Sequence, residues 1–265
     1  METIHEKLAI PGAELTVSEY CLKIDFANDH PSLSTAIYGG GFRNVRSVLN
    51  QRLTKYFASE ADFPGGSVEG YLKECAKEAG ADLEKCSVLL TAAKVYLYSQ
   101  QVLSHDDLLV EIITTGGVEK TACRASSVPM YREQGGKFFP VGTINMMALI
   151  HGNLPPGIMA RGLITLTEGK TAALQDLGIA DVNNGLPATG TGTDGITLVT
   201  SYEGPQYTDA GPFSELGAFL AQAAYRSVAE CLMKYDHPWN AFPELKTPKA
   251  VDIKAVRSEG AAHKI

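Results

Sequence analysis

The 265-residue sequence has few of the features that mark disulfide-rich, nucleic-acid-binding or membrane-embedded proteins. A net charge of −7 and a pI near 5.4 leave no basic surplus for binding nucleic acid. No apolar run reaches membrane-spanning length, and the amino terminus lacks the basic and apolar regions of a signal peptide. Its five cysteines form no C-x-x-C pair and are odd in number, which indicates reduced thiols. We therefore predict a cytoplasmic protein without nucleic-acid or membrane partners.

Several catalytic motifs are also missing from the sequence. The six histidines are scattered and form no H-E-x-x-H motif, so no zinc site is indicated, and only a metal site assembled in three dimensions stays open. The absence of G-x-S-x-G argues against the catalytic serine of an α/β-hydrolase. No glycine-rich stretch is followed by the lysine of a Walker A loop, which disfavours nucleotide binding. We predict no cofactor and leave the metal requirement open.

The composition that is present indicates one folded domain. Hydrophobic residues make up 45% of the chain and charged residues 20%, which suffices for a sizeable core. Beyond Tyr235, three prolines and few periodic apolar positions indicate an irregular tail. We predict a single α+β domain over residues 1–235 and a tail over residues 236–265.

Helical periodicity predicts one short helix and two long ones. The short helix follows the N-cap Ser67 and ends at Gly80. The second starts at 155–157, where two prolines precede a glycine, and ends at Gly178. The third runs from about Pro212 to Lys234 with one buried face.

Alternating and apolar runs predict a largely antiparallel or mixed sheet that packs against these helices. An opening hairpin is expected over 7–26, because Pro11 and Gly12 interrupt the alternation. Residues 126–137 are polar and contain glycine, so we expect a loop there. The other predicted strands cover residues 33–38, 87–92, 94–103, 108–115, 141–150 and 196–201.

A loop of glycines and threonines at 187–195 is the first candidate ligand site. Alternating glycines let a ligand approach main-chain N–H groups, and the loop ends in the carboxylate of Asp194. Such a loop can bind an anion or the oxyanion formed when an amide carbonyl is attacked. The alternative interpretation is an ordinary glycine-rich turn between a helix and a strand.

Two further stretches are candidate walls of the same site. Gly39, Gly40 and Gly41 are costly to order, which indicates either close backbone approach to a ligand or a strand end with a bulge. Thr143 and Asn145 lie on the same side of the strand predicted at 141–150.

The second helix carries a lysine in the middle of its apolar stripe. At about 100° per residue, Lys170 falls among the apolar positions and Glu168 points nearly the opposite way. Either the lysine stem reaches water, or the ammonium is partly buried with a carboxylate partner. Asp194 is the nearest such partner along the chain, while Glu168 is expected on a solvated face unless another layer covers it.

Four of these stretches, in this order, resemble the motif series of the adenosylcobinamide amidohydrolase family, over about residues 30–235. The resemblance implies hydrolysis of the amide that joins the corrinoid propionyl side chain to aminopropanol, giving adenosylcobyric acid for cobamide salvage. The partner implied is a small-molecule corrinoid, with a homo-oligomer left open. The four stretches are 33–41, 142–145, 167–178 and 188–194.

Together these features lead to a hypothesis for the site. The amide carbonyl would lie against the N–H groups of Gly190 and Gly192, with further hydrogen bonds from Thr143, Asn145 or Thr191. Asp194 would activate water or a threonine nucleophile, and Lys170 would protonate the departing amine. Glu168 is the reserve acid or base. The catalytic residues predicted are thus Asp194, Lys170, Glu168 and Thr191, and the substrate-binding residues are Gly39, Gly40, Gly41, Thr143, Asn145, Thr189, Gly190, Gly192 and Thr193.

The sequence leaves other functions open. A corrinoid carrier or sensor would keep the pocket without catalysis, and an amidohydrolase for a different amide, or a phosphate-binding enzyme, would use the same loop. The presence of both Lys170 and Asp194 favours catalysis over binding alone.

Overall fold

The computed structural model describes residues 2–55, 57, 59–129 and 142–234. The tail predicted for residues 236–265 and most of the loop predicted at 126–137 lie outside these ranges. Fourteen elements of regular structure are labelled here in chain order. The strands are β1 (Ile4–Lys7), β2 (Ala13–Val17), β3 (Cys21–Ser34), β4 (Gly41–Arg52), β5 (Cys86–Thr91), β6 (Ser99–His105), β7 (Leu108–Gly116), β8 (Ala122–Cys123), β9 (Ile144–His151), β10 (Gly190–Thr191) and β11 (Gly195–Val199); the helices are α1 (Val68–Glu78), α2 (Pro156–Asp176) and α3 (Glu215–Met233).

Nine of the strands form one mixed sheet. Its central path runs β1-β2-β3-β11-β9-β7-β6, and β4 lies on the other edge of β3 and pairs with β5. Two pairs are parallel, β4 with β5 and β9 with β11. The long strand β3 shifts register against β4 between Asp25 and His30. On its other edge, its first half pairs with β2 and its second half with β11.

The sheet curls so that β5 approaches β9 and β11. The side chain of Asn145 on β9 donates to the carbonyl oxygen of Leu90 on β5 at 3.0 Å, although these two strands are not paired. Apolar side chains from both halves of the curled sheet fill its interior, among them Leu15, Ile24, Val48, Ile113 and Met147. The curl brings the ends of β5, β9 and β11 together.

The two long helices form a second layer. α3 packs on β6 and β7, where the hydroxyls of Thr114 and Ser227 are 2.7 Å apart, and α2 packs on α3. The two helices approach closely at Gly169, because a Cβ atom there would lie 2.5 Å from the carbonyl oxygen of Ala221. Within the described residues, no helix is both long and apolar enough to cross a membrane.

The α+β class, the mixed sheet and the three helices are confirmed. α1 has the predicted N-cap, since the Ser67 hydroxyl accepts from the N–H of Gly70, and Gly80 follows its end with a φ of 72°. Differences occur among the strands: the strand predicted at 94–103 begins only at Ser99, and β4 was not predicted at all. The strand predicted at 33–38 is the end of β3, which stops at Ser34.

The apolar stripe of α2 generates a test of the packing. Leu166→Ala removes a fully buried side chain, so we expect a loss of about 2–5 kcal/mol in the free energy of unfolding. Ile164→Ala on the same helix removes a side chain that is 60% exposed and is the matched control, with a change within about 0.5 kcal/mol. Urea unfolding of both variants measures the difference. Equal losses would contradict the packing described here.

Candidate active site

An enclosed ion pair joins α2 to the turn that precedes β11. Lys170 projects from the middle of α2, and its Nζ donates to Oδ2 of Asp194. The exposed fractions of the two side chains are only 8% and 13%. Of the two placements considered for the lysine, the structure has the partly buried one, with Asp194 as its partner.

The Asp194 carboxylate receives three more hydrogen bonds. Its Oδ1 accepts from the N–H of Ile144 at 2.9 Å and from the hydroxyl of Thr191 at 2.5 Å, and its Oδ2 accepts from the N–H of Thr191 at 3.0 Å. An ionised carboxylate has about four lone-pair sites, so these donors and Lys170 together occupy them. The ionised form is thereby held in one orientation between α2, β9 and β10.

Gly190 is required for this arrangement. A Cβ atom at this position would overlap Oδ2 of Asp194 and lie 2.6 Å from Nζ of Lys170. The alternating glycine in the loop therefore makes room for the ion pair, rather than opening the main chain to a ligand.

A short two-stranded ladder anchors the loop at 187–195, because β10 is part of that loop. β8 pairs with β10, with Cys123 opposite Gly190. Asp181 stabilises the segment that follows β8, because its carboxylate accepts from the hydroxyl of Ser127 at 2.5 Å and from the N–H of Arg124 at 2.8 Å. These hydrogen bonds, that of the Ser127 hydroxyl first, lower the pKa of Asp181 to about 2.

Beside the ion pair lies a cavity of about 330 Å³. Its polar end contains Asp194 with Thr143, Asn145 and Thr193, which come from the starts of β9 and β11. The apolar wall of the cavity comes from β5, from α1 and from the chain between β4 and α1. That wall consists of Leu53, Phe57, Phe63, Val68 and Leu89, with the rings of Phe57 and Phe63 4.3 Å apart.

The hydroxyl groups of Thr143 and Thr193 contact each other at the polar end. Their oxygens are 2.7 Å apart, and Thr193 is also 3.2 Å from the carbonyl oxygen of Gly142, to which it donates. Hydroxyl hydrogens rotate to suit a partner. A ligand carbonyl can therefore receive a hydrogen bond here without movement of the backbone.

Asn145 is held by a chain of amide and hydroxyl groups. Its Nδ2 donates to Oδ1 of Asn50 at 2.9 Å and to the carbonyl oxygen of Leu90. Asn50 in turn donates to the hydroxyl of Thr115 at 2.7 Å. Both hydrogens of the Asn145 amide are used, so this side chain does not donate to a substrate carbonyl as the sequence hypothesis had it.

Only some of the predicted site residues meet at the cavity. Lys170 and Asp194 meet, and Thr143, Asn145, Thr193 and Asp194 line one cavity. Thr191 contacts Asp194 but does not line the cavity, and neither do Gly190, Gly192 and Thr189. Thr189 binds the segment at β8 instead, since its hydroxyl accepts from the N–H of Ala125 and its N–H donates to the carbonyl oxygen of Cys123.

The three consecutive glycines and Glu168 lie away from the cavity. Gly39 and Gly41 have φ values of 68° and 80°, and a Cβ atom at Gly40 would overlap the carbonyl oxygen of Ala36. The glycines thus form a tight connection between β3 and β4, and the residues just before them, 35–37, line the cavity instead. Glu168 is exposed on the outer face of α2, so no layer formed by the described residues covers it.

Sequence reasoning missed the apolar wall and the support of Asn145. The wall includes Phe57 and Phe63, which follow the unpredicted β4, and the support comes from Asn50 and Thr115 on strands far apart in sequence. The sequence of β4 carried no clear strand signal, because its apolar residues Val45, Val48 and Leu49 lack a two-residue period and the strand is buried without interruption over residues 47–51. In the described part of the chain, no group of three or more His, Cys, Asp or Glu side chains is placed to hold a metal ion.

Comparison with known proteins defines the class. Residues 7–238 match the family described as adenosylcobinamide amidohydrolase, and the chain is a hydrolase that acts on an amide bond. It belongs to the adenosylcobinamide amidohydrolase family. An uncharacterized protein of Methanocaldococcus jannaschii is 32% identical over 81% of this chain and 86% of its own length. A Methanosarcina mazei protein named adenosylcobinamide amidohydrolase is 26% identical over 71% of this chain and 76% of its own length.

Solved structures resemble the chain more remotely. A Pyrococcus horikoshii protein gives a TM-score of 0.43 at 12% identity, over 88% of this chain and 82% of its own. An L-aminopeptidase D-Ala-esterase/amidase of Ochrobactrum anthropi gives 0.41 at 10% identity, over 89% and 85%. The family assignment rests on the sequence match.

The ion pair leads to a stability prediction. Lys170→Met leaves the enclosed Asp194 carboxylate without its counter-charge, so we expect a loss of about 3–5 kcal/mol in the free energy of unfolding. In the double variant Lys170→Met/Asp194→Asn the loss should be smaller than the sum of the two single losses by at least about 1 kcal/mol. Urea unfolding of the three variants provides the cycle. Additive losses would show that the two side chains do not interact.

The Asp181 carboxylate leads to a pH prediction. Its folded-state pKa of about 2 lies below the unfolded value near 4, so its contribution is present above about pH 4 and disappears as the pH falls towards 2. Asp181→Asn should therefore be less stable than the wild type at neutral pH, with a difference that shrinks below pH 4. Unfolding measured between pH 2 and 7 tests this. A difference that stays constant over that range would contradict the assignment.

Proposed function

We propose that the chain hydrolyses the amide between the corrinoid propionyl side chain and aminopropanol in adenosylcobinamide, giving adenosylcobyric acid. The observation that carries this proposal is the Asp194 carboxylate, paired with Lys170, at the polar end of a cavity whose remaining lining is largely apolar. The propionyl side chain of the substrate has the same two parts, because a polar amide follows an apolar alkyl arm. Family membership supports the same reaction class.

The size of the cavity favours entry of the side chain alone. A volume of about 330 Å³ lies at the lower end for small-molecule sites and suits an amide-bearing arm, whereas a corrin ring is much larger. Ile37 and Lys55 line the cavity and are exposed, so they mark its mouth. In this proposal the ring stays outside the mouth and the arm carries the scissile amide to Asp194.

Asp194 is proposed as the group that accepts the proton of the attacking water. It lines the cavity, whereas Lys170 is behind it. One of the four donors on the carboxylate must give way for this, and the Thr191 hydroxyl is the one that is both uncharged and free to rotate. The water oxygen then bonds to the amide carbon while its proton passes to Asp194.

The same carboxyl group is proposed to complete the reaction. The developing oxyanion would receive hydrogen bonds from the hydroxyls of Thr143 and Thr193. Asp194 then gives its proton to the amine nitrogen as the C–N bond breaks. The predicted role of Lys170 as direct proton donor gives way to that of a positioning residue, which compensates the charge of Asp194 throughout.

A covalent route differs in the role of Thr191. Its hydroxyl is 2.5 Å from Asp194, and the base is itself oriented by Lys170, an arrangement also found around activated nucleophiles. In that route the Thr191 oxygen would attack the amide carbon and water would hydrolyse the resulting ester. We favour direct attack by water because Asp194, and not Thr191, lines the cavity.

The catalytic proposal predicts separable effects of the variants. Asp194→Asn should lower kcat/KM for aminopropanol release from adenosylcobinamide by about 10²–10⁴-fold, since the proton acceptor is removed. Thr191→Val should keep activity within about 10-fold of the wild type if water attacks directly. Thr191→Val without activity, together with an active Thr191→Ser, would establish the covalent route instead.

Asp176→Asn provides the matched control for this experiment. Asp176 is exposed at the end of α2 and accepts a hydrogen bond from the hydroxyl of Tyr225. Replacing its carboxylate with the amide of asparagine should therefore leave turnover unchanged. Circular dichroism checks that each variant is folded. Wild-type turnover in Asp194→Asn would refute the assignment of the site. Absence of aminopropanol release by the folded wild-type chain would refute the proposed substrate.

A further inference from the structure

Asn145 lines the cavity and carries a buried side-chain oxygen without a hydrogen-bond partner among the described residues. The residue is 1% exposed, and the oxygen without a partner is its Oδ1. A buried acceptor without a partner costs about 1–3 kcal/mol in stability. Its neighbours at the polar end, Asp194, Thr143 and Thr193, all have partners.

The direction of this oxygen is determined by what the nitrogen binds. Nδ2 donates to two oxygens, those of Asn50 and Leu90, so turning the amide over would bring Oδ1 against two acceptors. Thr115 orients Asn50 in turn by accepting from its amide. The amide of Asn145 is therefore fixed in one orientation, with its acceptor oxygen, and not its NH₂ group, on the side away from Asn50 and Leu90.

The oxygen is directed towards residues that line the cavity. A Cβ atom at Gly195 would lie 2.7 Å from Oδ1 of Asn145 and 2.7 Å from the Leu89 side chain. Gly195 and Leu89 both line the cavity beside Asp194. Because Gly195 has no side chain, Oδ1 of Asn145 and the Leu89 side chain can both approach it, on the side of Asn145 that its own hydrogen bonds do not use.

We propose that Oδ1 of Asn145 accepts the N–H of the scissile amide, so that the site selects secondary amides over esters and N,N-disubstituted amides. This inference rests on the proposed function and specifies its substrate class. In a trans amide the N–H and the C=O point in opposite directions. A site that reads both groups needs an acceptor on one side and donors on the other. Asn145 supplies the acceptor, and the hydroxyls of Thr143 and Thr193 supply the donors.

The physical basis for selection is the cost of an unpaired polar group. An ester places an oxygen with lone pairs where the amide has its N–H, so two acceptors would face each other at Asn145. Sites built to pair with a particular N–H or O–H reject analogues that lack it far more strongly than apolar pockets reject a change in size. Asn145 is thus a specificity residue, and Asn50 and Thr115 are positioning residues.

The test compares adenosylcobinamide with the ester in which oxygen replaces its scissile N–H. Asn145→Leu should lower kcat/KM for the amide by about 10²-fold or more, because the N–H of the bound amide loses its acceptor. The loss for the ester should be less than 10-fold. The ratio of amide to ester turnover, which cancels general damage to the site, is the quantity to measure.

A second pair of variants keeps the test informative if Asn145→Leu fails to fold. Thr115→Val removes the hydroxyl that orients Asn50, and we expect a fall of about 10-fold in the amide-to-ester ratio. Thr114→Val is the matched control, because Thr114 is the adjacent buried residue of β7 and faces α3 through Ser227. Its ratio should equal that of the wild type.

The outcomes separate the inference from the function on which it rests. Equal losses for amide and ester in Asn145→Leu, or an unchanged ratio in Thr115→Val, would overturn the role of Asn145 while leaving the proposed hydrolysis intact. A folded wild-type chain that hydrolyses neither compound would overturn the proposed function, and the inference with it. Selective loss of amide turnover would support both.

Discussion

The contact between Lys170 and Asp194 is the interaction on which the site depends. A charge taken out of water is tolerated when it is paired and its remaining hydrogen-bonding capacity is satisfied. Here a lysine from the middle of α2 meets a carboxylate that also receives the N–H groups of Ile144 and Thr191. The same carboxylate therefore ties the helix layer to the starts of two strands, and Gly190 has no side chain because the pair occupies that space.

Much of the fold could be predicted because its signals are local. The caps of α1, the proline and glycine that bracket α2, and the apolar stripe of α2 all act within a few residues. The curl of the sheet could not be predicted in this way, because it depends on which strands pair across long stretches of chain. β4, which links β3 to the parallel strand β5, was therefore missed together with the apolar wall that follows it.

The part of the candidate site that could be predicted is the ion pair, because a lysine on an apolar helix face requires a partner of opposite charge. Lys170 on an apolar stripe needed a nearby carboxylate, and Asp194 was the nearest along the chain. Glycine was a poorer guide: Gly190 makes room for the ion pair, and Gly40 serves a tight connection beside the carbonyl of Ala36. Nothing in the sequence indicated that Asn50 would orient Asn145, since the two residues meet only when the sheet curls.

We propose the ion pair as the reaction centre because of the cavity beside it. The apolar wall of this cavity can hold the alkyl part of the corrinoid side chain, and its polar end contains Asp194. The most direct measurement is a crystal structure of the slow Asp194→Asn variant with adenosylcobinamide itself, which keeps the scissile N–H. We expect the arm to occupy this cavity, with its carbonyl beside Thr143 and Thr193 and the carbonyl carbon facing residue 194. An arm bound elsewhere, with this cavity empty, would contradict the proposal.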